Sequence, residues 1–271
     1  MNQDKFNILA QSVFCPGQDA DAVSELQPGQ ARQFHYKEAS KLLARKGLRY
    51  KDEATLIALV AAKKVIEAAP PMSEAQKDRT AVIVSSNLCN LDTVITNSRI
   101  IADEHVNETS AMALPNASSN VVSASISIVN EMRGPNLMLC NGSESGLDAL
   151  RLAQNLIQAG RADRVLIVGV EVDNEAVQAL MPNTKFRFHG AAGYLIERME
   201  EETPADYQVT ARLKTAPKTD SELSMQEVSR YCGDASAATG VLQVMLAAEH
   251  ARNGTPRYLA NGDSAWLVEG P

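Results

Sequence analysis

Two stretches of this chain are almost wholly apolar and rich in β-branched residues: 80–86 (TAVIVSS) and 164–171 (RVLIVGVE). A strand with no polar face must be covered on both sides, which is the place of a central strand in a sheet flanked by helices. The covering helices are written in the same pattern. Residues 52–69 place Leu56, Leu59, Val60, Ala62, Lys63 and Ile66 at helical spacing before Pro70-Pro71 stops them. Residues 145–159 put Leu150, Ala153, Leu156 and Ile157 on one face and end at Gly160. Strands alternating with amphipathic helices predict an α/β layered fold.

Other elements fit between these. Strands are expected at 6–14, 136–140, 191–198 and 207–214, with further candidates at 257–260 and 264–269. Helices are expected at 36–47 and 236–251, with weaker helical character at 92–104. The segment 120–131 (NVVSASISIVNE) mixes small and branched residues, and we read it as a buried helix whose serines and alanines allow close backbone approach. A faint internal echo links Gly146-LDALRLAQNLIQAG to Gly240-VLQVMLAAEHARNG, each followed by a strand. No Pro/Ser-rich linker divides the chain, so 1–271 reads as a single unit, with an N-terminal half to about 200 and a shortened C-terminal half over 205–271.

The chemistry of the surface removes several function classes. The chain has 33 acidic and 26 basic residues, a net charge of −7, and aromatics are only 4%. Nucleic acid is therefore not expected as a partner, since phosphate contacts need clustered cations and single strands need stacking rings. No run approaches the ~18 apolar residues of a spanning helix, and the N-terminus does not read as a signal peptide. Cys15, Cys89, Cys140 and Cys232 lack a C-x-x-C spacing, and free thiols in the cytoplasm are expected ahead of two disulfides or a zinc site. The loop after the first strand, 15–22 (CPGQDADA), holds one glycine and two acids, a poor phosphate cradle.

The segment Gly134–Gly146 (GPNLMLCNGSESG) carries the most chemistry. It reads as strand, tight turn and helix start, a geometry that aims a side chain at a helix N-terminus. It is not a G-x-S-x-G elbow, because Glu144 stands at the centre of Gly142–Gly146. It does resemble the nucleophile region of the β-ketoacyl synthases, the condensing enzymes of the thiolase-like superfamily. Aligned on Gly134-Pro135, Ser143 stands where those enzymes carry the acyl-accepting cysteine. Leu114, Pro115, Asn116, Ala117, Ser118, Ser119 and Asn120, followed by Arg133-Gly134-Pro135, resemble the segment that lines the dimer interface and reaches the partner's pocket. Residues 190–197 (GAAGYLIE) resemble the G-E-G-A-G strand, and Gly233–Gly240 (GDASAATG) resembles the G-H-x-x-G-A-A-G motif.

The resemblance implies a thiolase-like αβαβα fold with a reduced C-terminal half. The departures from the family pattern bear on its chemistry. Ser143 replaces the nucleophile, Asp234 replaces one histidine, and the H-G-T-G-T segment carrying the other is absent. The sequence resembles the inactive ketosynthase homologues called chain-length factors, which pair with an active β-ketoacyl synthase. The expected role is a non-catalytic subunit of a type II polyketide, fatty-acid-like or polyene (aryl polyene) system that shapes the acyl tunnel. An active synthase is the expected partner, and acyl carrier protein is met through the complex. No catalytic residue, metal or cofactor is expected. The interface or tunnel positions are Leu114–Asn120 with Leu137 and Leu139, and Ala117 is a candidate for the pocket floor. Ser143 reads as a turn or cap residue, Asp234 as the cap of the helix near 236, Cys140 as a buried apolar residue, and His189 as structural. The alternative is an acyltransferase or hydrolase using Ser143, which would need a base beside it.

Overall fold

The computed structural model describes residues 5–185, 187–198, 207–209, 221–261 and 264–270. Its centre is β2 (Thr80–Ser85), buried at every position. On one side β2 pairs in parallel with β3 (Asn136–Leu139), and on the other with β4 (Arg164–Glu171). Next come β5 (Gly190–Arg198) and β1 (Phe6–Phe14), both antiparallel to their neighbours. Strands β6 (Tyr207–Val209), β8 (Ser264–Glu269) and β7 (Arg257–Asn261) extend the sheet, giving the order β3-β2-β4-β5-β1-β6-β8-β7.

Alternation along the strands divides the apolar side chains between two cores. Ala81, Ile83, Val165 and Ile167 face α6 (Ser145–Gln158) and α9 (Thr239–Arg252). Val82, Val84, Leu166 and Val168 face α2 (Glu53–Ala68) and α5 (Val121–Asn130). Helix α2 begins where Asp52 accepts from the Thr55 amide at 2.8 Å and the Thr55 hydroxyl at 2.7 Å, a cap worth about 1 kcal/mol. In α9, twelve of the fourteen residues are buried, and the β7–β8 hairpin adds Leu259, Trp266 and Val268 to its core. Helices on both faces of one mixed sheet give the thiolase-like α/β layering that the sequence implies, with one sheet and not the two of an αβαβα stack among the described residues. The C-terminal strands join the first sheet through β1, and among the described residues they form no separate second sheet.

The serines of α5 have a specific use. Ser123 donates to the Asn136 side-chain oxygen at 2.9 Å, and the Asn136 amide donates to Ser127 at 2.6 Å. Close packing of a small-residue helix thus locks the start of β3. Just before it, a Cβ on Gly134 would fall 2.5 Å from the Thr80 carbonyl oxygen, so only glycine lets the chain enter the sheet there. The internal echo also has a physical counterpart. Helices α6 and α9 cross at their first turns, where Gly146 meets Gly240 and Val241 backbone to backbone.

Several boundaries differ from expectation. The helix expected at 36–47 is α1 (Tyr36–Leu42), because Ala44 and Gly47 take left-handed conformations, φ 49° and 82°, that turn the chain toward α2. The weak helical signal at 92–104 is a full helix, α4 (Leu91–Asp103). Three short helices were not anticipated: α3 (Glu74–Asp78), α7 (Glu175–Leu180) and α8 (Met225–Cys232). Of the strand expected at 207–214, residues 210–214 lie outside the described residues.

Candidate functional site

The carboxyl ends of β2, β3 and β4 converge beneath the first turns of α6 and α9. Residues 142–144 form a single 3-10 turn leading into α6. Ser145, not Ser143, secures that turn: its hydroxyl donates to the Gly142 carbonyl at 2.9 Å and accepts from the Asn141 amide. Ser143 is exposed at the apex. The expectation of a turn residue holds, but the capping function belongs two residues later.

Behind the turn lies a carboxylate that the sequence reading passed over. Glu171 ends β4 and is 4% exposed. It accepts from the Asn87 amide at 2.8 Å, the Ser86 hydroxyl at 3.2 Å, and the Leu88 and Ala237 amides at 3.3 Å. Burial pushes its carboxyl up to about 7, against the pull of those four donors. Asn87 extends the network: its side chain donates to Ser236 at 2.7 Å and accepts from the Gly142 amide at 3.2 Å. The Ser85 hydroxyl donates to the Ala237 carbonyl at 2.6 Å. The Ser143 turn and the Gly233–Gly240 motif are therefore held together through Asn87 and Glu171. A lone glutamate closing a wholly apolar strand was the available signal.

Asp234 is the residue that the sequence resemblance sets at the family's histidine position. Its carboxylate accepts from the Ser236 amide at 2.9 Å and its carbonyl from the Phe188 amide at 2.8 Å. This is an Asx-type turn just ahead of the 3-10 turn that opens α9; the N-cap of that turn is Ala235, so the helix cap expected of Asp234 is not formed. His189 is buried and structural. Its Nδ1 accepts from the Asp173 amide at 2.9 Å, which leaves the hydrogen on Nε2, 3.3 Å from Glu53 but off the hydrogen-bond direction. Burial raises the Glu53 carboxyl, but His189 and the Phe34 amide outweigh it and hold the group below its ordinary value. None of the four histidines has a hydrogen bond to the 141–146 turn among the described residues.

Cys140 departs from expectation: it is exposed, because it lies one residue beyond β3, the edge strand of the sheet. Partial screening from water and the nearby Glu171 hold its thiol above the ordinary value, which disfavours the thiolate form there. All four cysteines are free. Among the described residues no three His, Cys, Asp or Glu side chains converge on a metal-sized site.

The segment 114–120 projects from the sheet. Residues Leu114–Ala117 form a 3-10 turn pinned by Asn116, whose side-chain amide donates to the Tyr50 carbonyl and whose carbonyl accepts from Asn90 at 3.3 Å. Leu114 is 43% exposed and Met112 65%. Pro115, Ser118, Ser119 and Asn120 are exposed, and Ala117 is half-buried. Leu137 and Leu139, on the edge strand, lean onto the core beneath α6. A cavity of about 520 Å³ opens beside the carboxyl ends of the strands, walled by Phe34, Tyr36, Asp52, Glu53, Cys89 and Ala113 among others. Ala113, not Ala117, faces it. Its mixture of carboxylates and rings makes it a wet cavity, unlike the aliphatic wall an acyl chain needs.

A family profile, the N-terminal domain of β-ketoacyl synthase, matches residues 19–183. The chain belongs to the β-ketoacyl synthase family. Comparison with curated protein sequences gives no match. Among solved structures, this ketosynthase-family chain is similar to the ishigamide ketosynthase/chain length factor, with TM-score 0.75 and 16% identity over 98% of this chain and 99% of that one. It is also similar to AntDE:AntF, a type II acyl-carrier protein in complex with its ketosynthase bound to the hexaketide (TM-score 0.71, 12% identity, 99% and 100% covered). A third is the ketosynthase ApeO in complex with its chain length factor ApeC from Xenorhabdus doucetiae (TM-score 0.58, 13% identity, 98% and 99% covered). At such identities the likeness is one of fold.

The strand, turn and helix are in place, and the Ser143 side chain has no hydrogen bond to a base among the described residues. An exposed serine without a base is a weak nucleophile. Incubation with acyl-CoA of several chain lengths is expected to leave the intact mass unchanged, identically in the wild type and in Ser143→Ala. A stable adduct lost in Ser143→Ala would give the chain an acyl-transfer chemistry of its own. No helix is long and apolar enough to cross a membrane among the described residues.

Proposed function

We propose that this chain is a non-catalytic, chain-length-factor-type subunit that pairs with an active β-ketoacyl synthase and shapes its acyl tunnel. The observation that carries this reading is a preserved scaffold around a missing centre. Asn87 and Glu171 hold the 142–144 turn against the Gly233–Gly240 motif, yet the turn presents Ser143, and Asp234, in an Asx-type turn, stands at the position that the resemblance gives to a histidine. Selection for a surface retains such a frame without retaining the reacting groups.

The surface for pairing is the β3 edge with the excursion leading into it. Among the described residues strand β3 has a neighbour on one side only, and an open edge is a template for another chain. On α5, which packs beside β3, Ile128 is exposed, and Met112 and Leu114 are exposed in and just before the turn that leads into α5. Two of the similar structures are named for ketosynthases with chain length factors, and one for an acyl-carrier protein with its ketosynthase. Acyl carrier protein would reach this chain through such a complex, in a polyketide, fatty-acid-like or aryl polyene pathway.

The direct test is native mass spectrometry of the chain expressed beside the ketosynthase encoded nearest to it. A one-to-one complex supports the reading, and a stable lone subunit that ignores the synthase overturns it. Ala117→Trp tests tunnel shaping separately. The larger side chain at the projecting turn is expected to shorten or block the product while the subunit's own melting temperature stays unchanged. Unchanged product length would count against a tunnel role for this segment.

A further inference from the structure

A second, smaller cavity of about 250 Å³ lies on the other side of Lys51, between α5 and the link from α1 to α2. Its wall is unusual for an acidic chain of net charge −7. Arg45, Lys46 and Lys51 line it, and no acidic residue does. None of these three, nor the neighbouring Arg49, forms an ion pair among the described residues, whereas Lys63, Lys64, Lys77, Arg79 and Arg133 all do. Arg49 instead lies over the ring of Tyr50. At the inner end the Lys51 ammonium donates to the buried Ser125 hydroxyl at 2.9 Å. The pair presents the remaining ammonium N–H donors and the Ser125 O–H, with one lone pair of the serine oxygen left over. The rest of the wall is aliphatic: Leu48 and Leu59 are buried beneath it, and Ile128, 72% exposed, stands with Val129 at its side.

We propose that this cavity is a binding site for a small aliphatic carboxylate, a medium-chain fatty acid in chemical class. The carboxylate accepts from Lys51 Nζ and Ser125 Oγ, with Arg45 and Lys46 supplying further positive field at the mouth. The chain lies against Leu48, Leu59 and Val129 and covers Ile128. The aliphatic wall selects against a bare inorganic anion, which would leave it wet, and the three cations on the wall select against a neutral alcohol of equal length. The volume falls below the ~300 Å³ at which drug-sized ligand pockets begin, which sets an upper bound on chain length.

Isothermal titration calorimetry of the whole chain with octanoate, 1-octanol and inorganic phosphate separates the terms. Octanoate is expected to bind one-to-one. Lys51→Met, which keeps the stem and removes the charge, is expected to weaken it at least tenfold, and Arg45→Gln/Lys46→Gln about threefold. Octanol and phosphate are each expected to bind at least tenfold more weakly than octanoate. Far-ultraviolet circular dichroism checks the fold of each variant, and should Lys51→Met not fold, Ser125→Ala takes its place with the same expected direction. Absence of saturable octanoate heat, equal affinity in the variants, or phosphate binding as tightly as octanoate would each overturn the assignment. So would binding that appears only with an acidic protein partner, because the cations would then be a docking face and not the wall of a ligand site.

Discussion

Gly146→Ala is expected to destabilise the protein by about 3 kcal/mol, lowering the melting temperature by roughly 10 °C. In an ordinary helix the same change is favourable by up to ~1 kcal/mol, because alanine is the better helix former. Here the added Cβ would stand 2.5 Å from the Val241 amide nitrogen and 2.7 Å from the Gly240 Cα. Both are backbone atoms of the crossing helix, so no change of rotamer relieves the contact. The clash outweighs propensity, and the sign of the effect is the test. Gly240→Ala meets the Leu147 amide nitrogen at the same 2.5 Å and should cost a similar amount. The double variant should cost less than the sum, since moving the helices apart once relieves both contacts. Urea unfolding of the three variants reads this directly, and a stabilising Gly146→Ala would mean that the helices cross farther apart.

The second large effect concerns pH and Glu171. Its folded-state carboxyl sits at about 7 through burial, against about 4.5 for a carboxyl free in water. The folded chain therefore binds more protons than the unfolded chain between those values. The contribution is fully present below about pH 4.5 and is lost as pH rises through 7, a difference of order 3 kcal/mol at most. The pairs around Glu53, Asp163 and Glu74 act in the opposite direction, because their carboxyls lie below their ordinary values. The informative quantity is thus the difference between the wild type and Glu171→Gln. The variant is expected to be less stable at both pH 5 and pH 7.5, because its amide N–H₂ confronts donors and leaves at least one unsatisfied, at about 1–3 kcal/mol. Its loss should be larger at pH 5, where the wild-type carboxyl is protonated. Equal losses at the two pH values would show that the wild-type group titrates normally.

The main elements were legible because their side chains repeat. Helices α2 and α6 and strands β2 and β4 follow from period and composition alone. The short helices carry another signal, in their caps. Ser73 accepts from the Gln76 amide while the Gln76 side chain returns to Ser73, and Ser224 accepts from the Glu227 amide. Each is a serine followed three residues later by Gln or Glu, a start signal that needs no apolar stripe. Cys140 illustrates what periodicity does not hold. An edge strand and a central strand can share a composition, and only pairing order tells them apart. At the candidate site, the motif spacing located Ser143 and Asp234 correctly on their turns. Glu171 and Asn87 stayed hidden because their role is to join segments 84 and 55 residues apart, which no local pattern records.

The placement of β1 has a consequence for biosynthesis. This nine-residue strand has seven buried positions and six apolar residues and lies between β5 and β6. Residue 14 leaves the ribosome long before Arg198 and Val209, the ends of those neighbours. At typical elongation speeds the gap is roughly ten to forty seconds. Throughout it both edges of an apolar strand are open, and helix α2, already complete, is the one cover on offer. A nascent chain built this way depends on protection during translation, and its yield in a cell-free system should rise when trigger-type chaperones are supplied from the start and not after release.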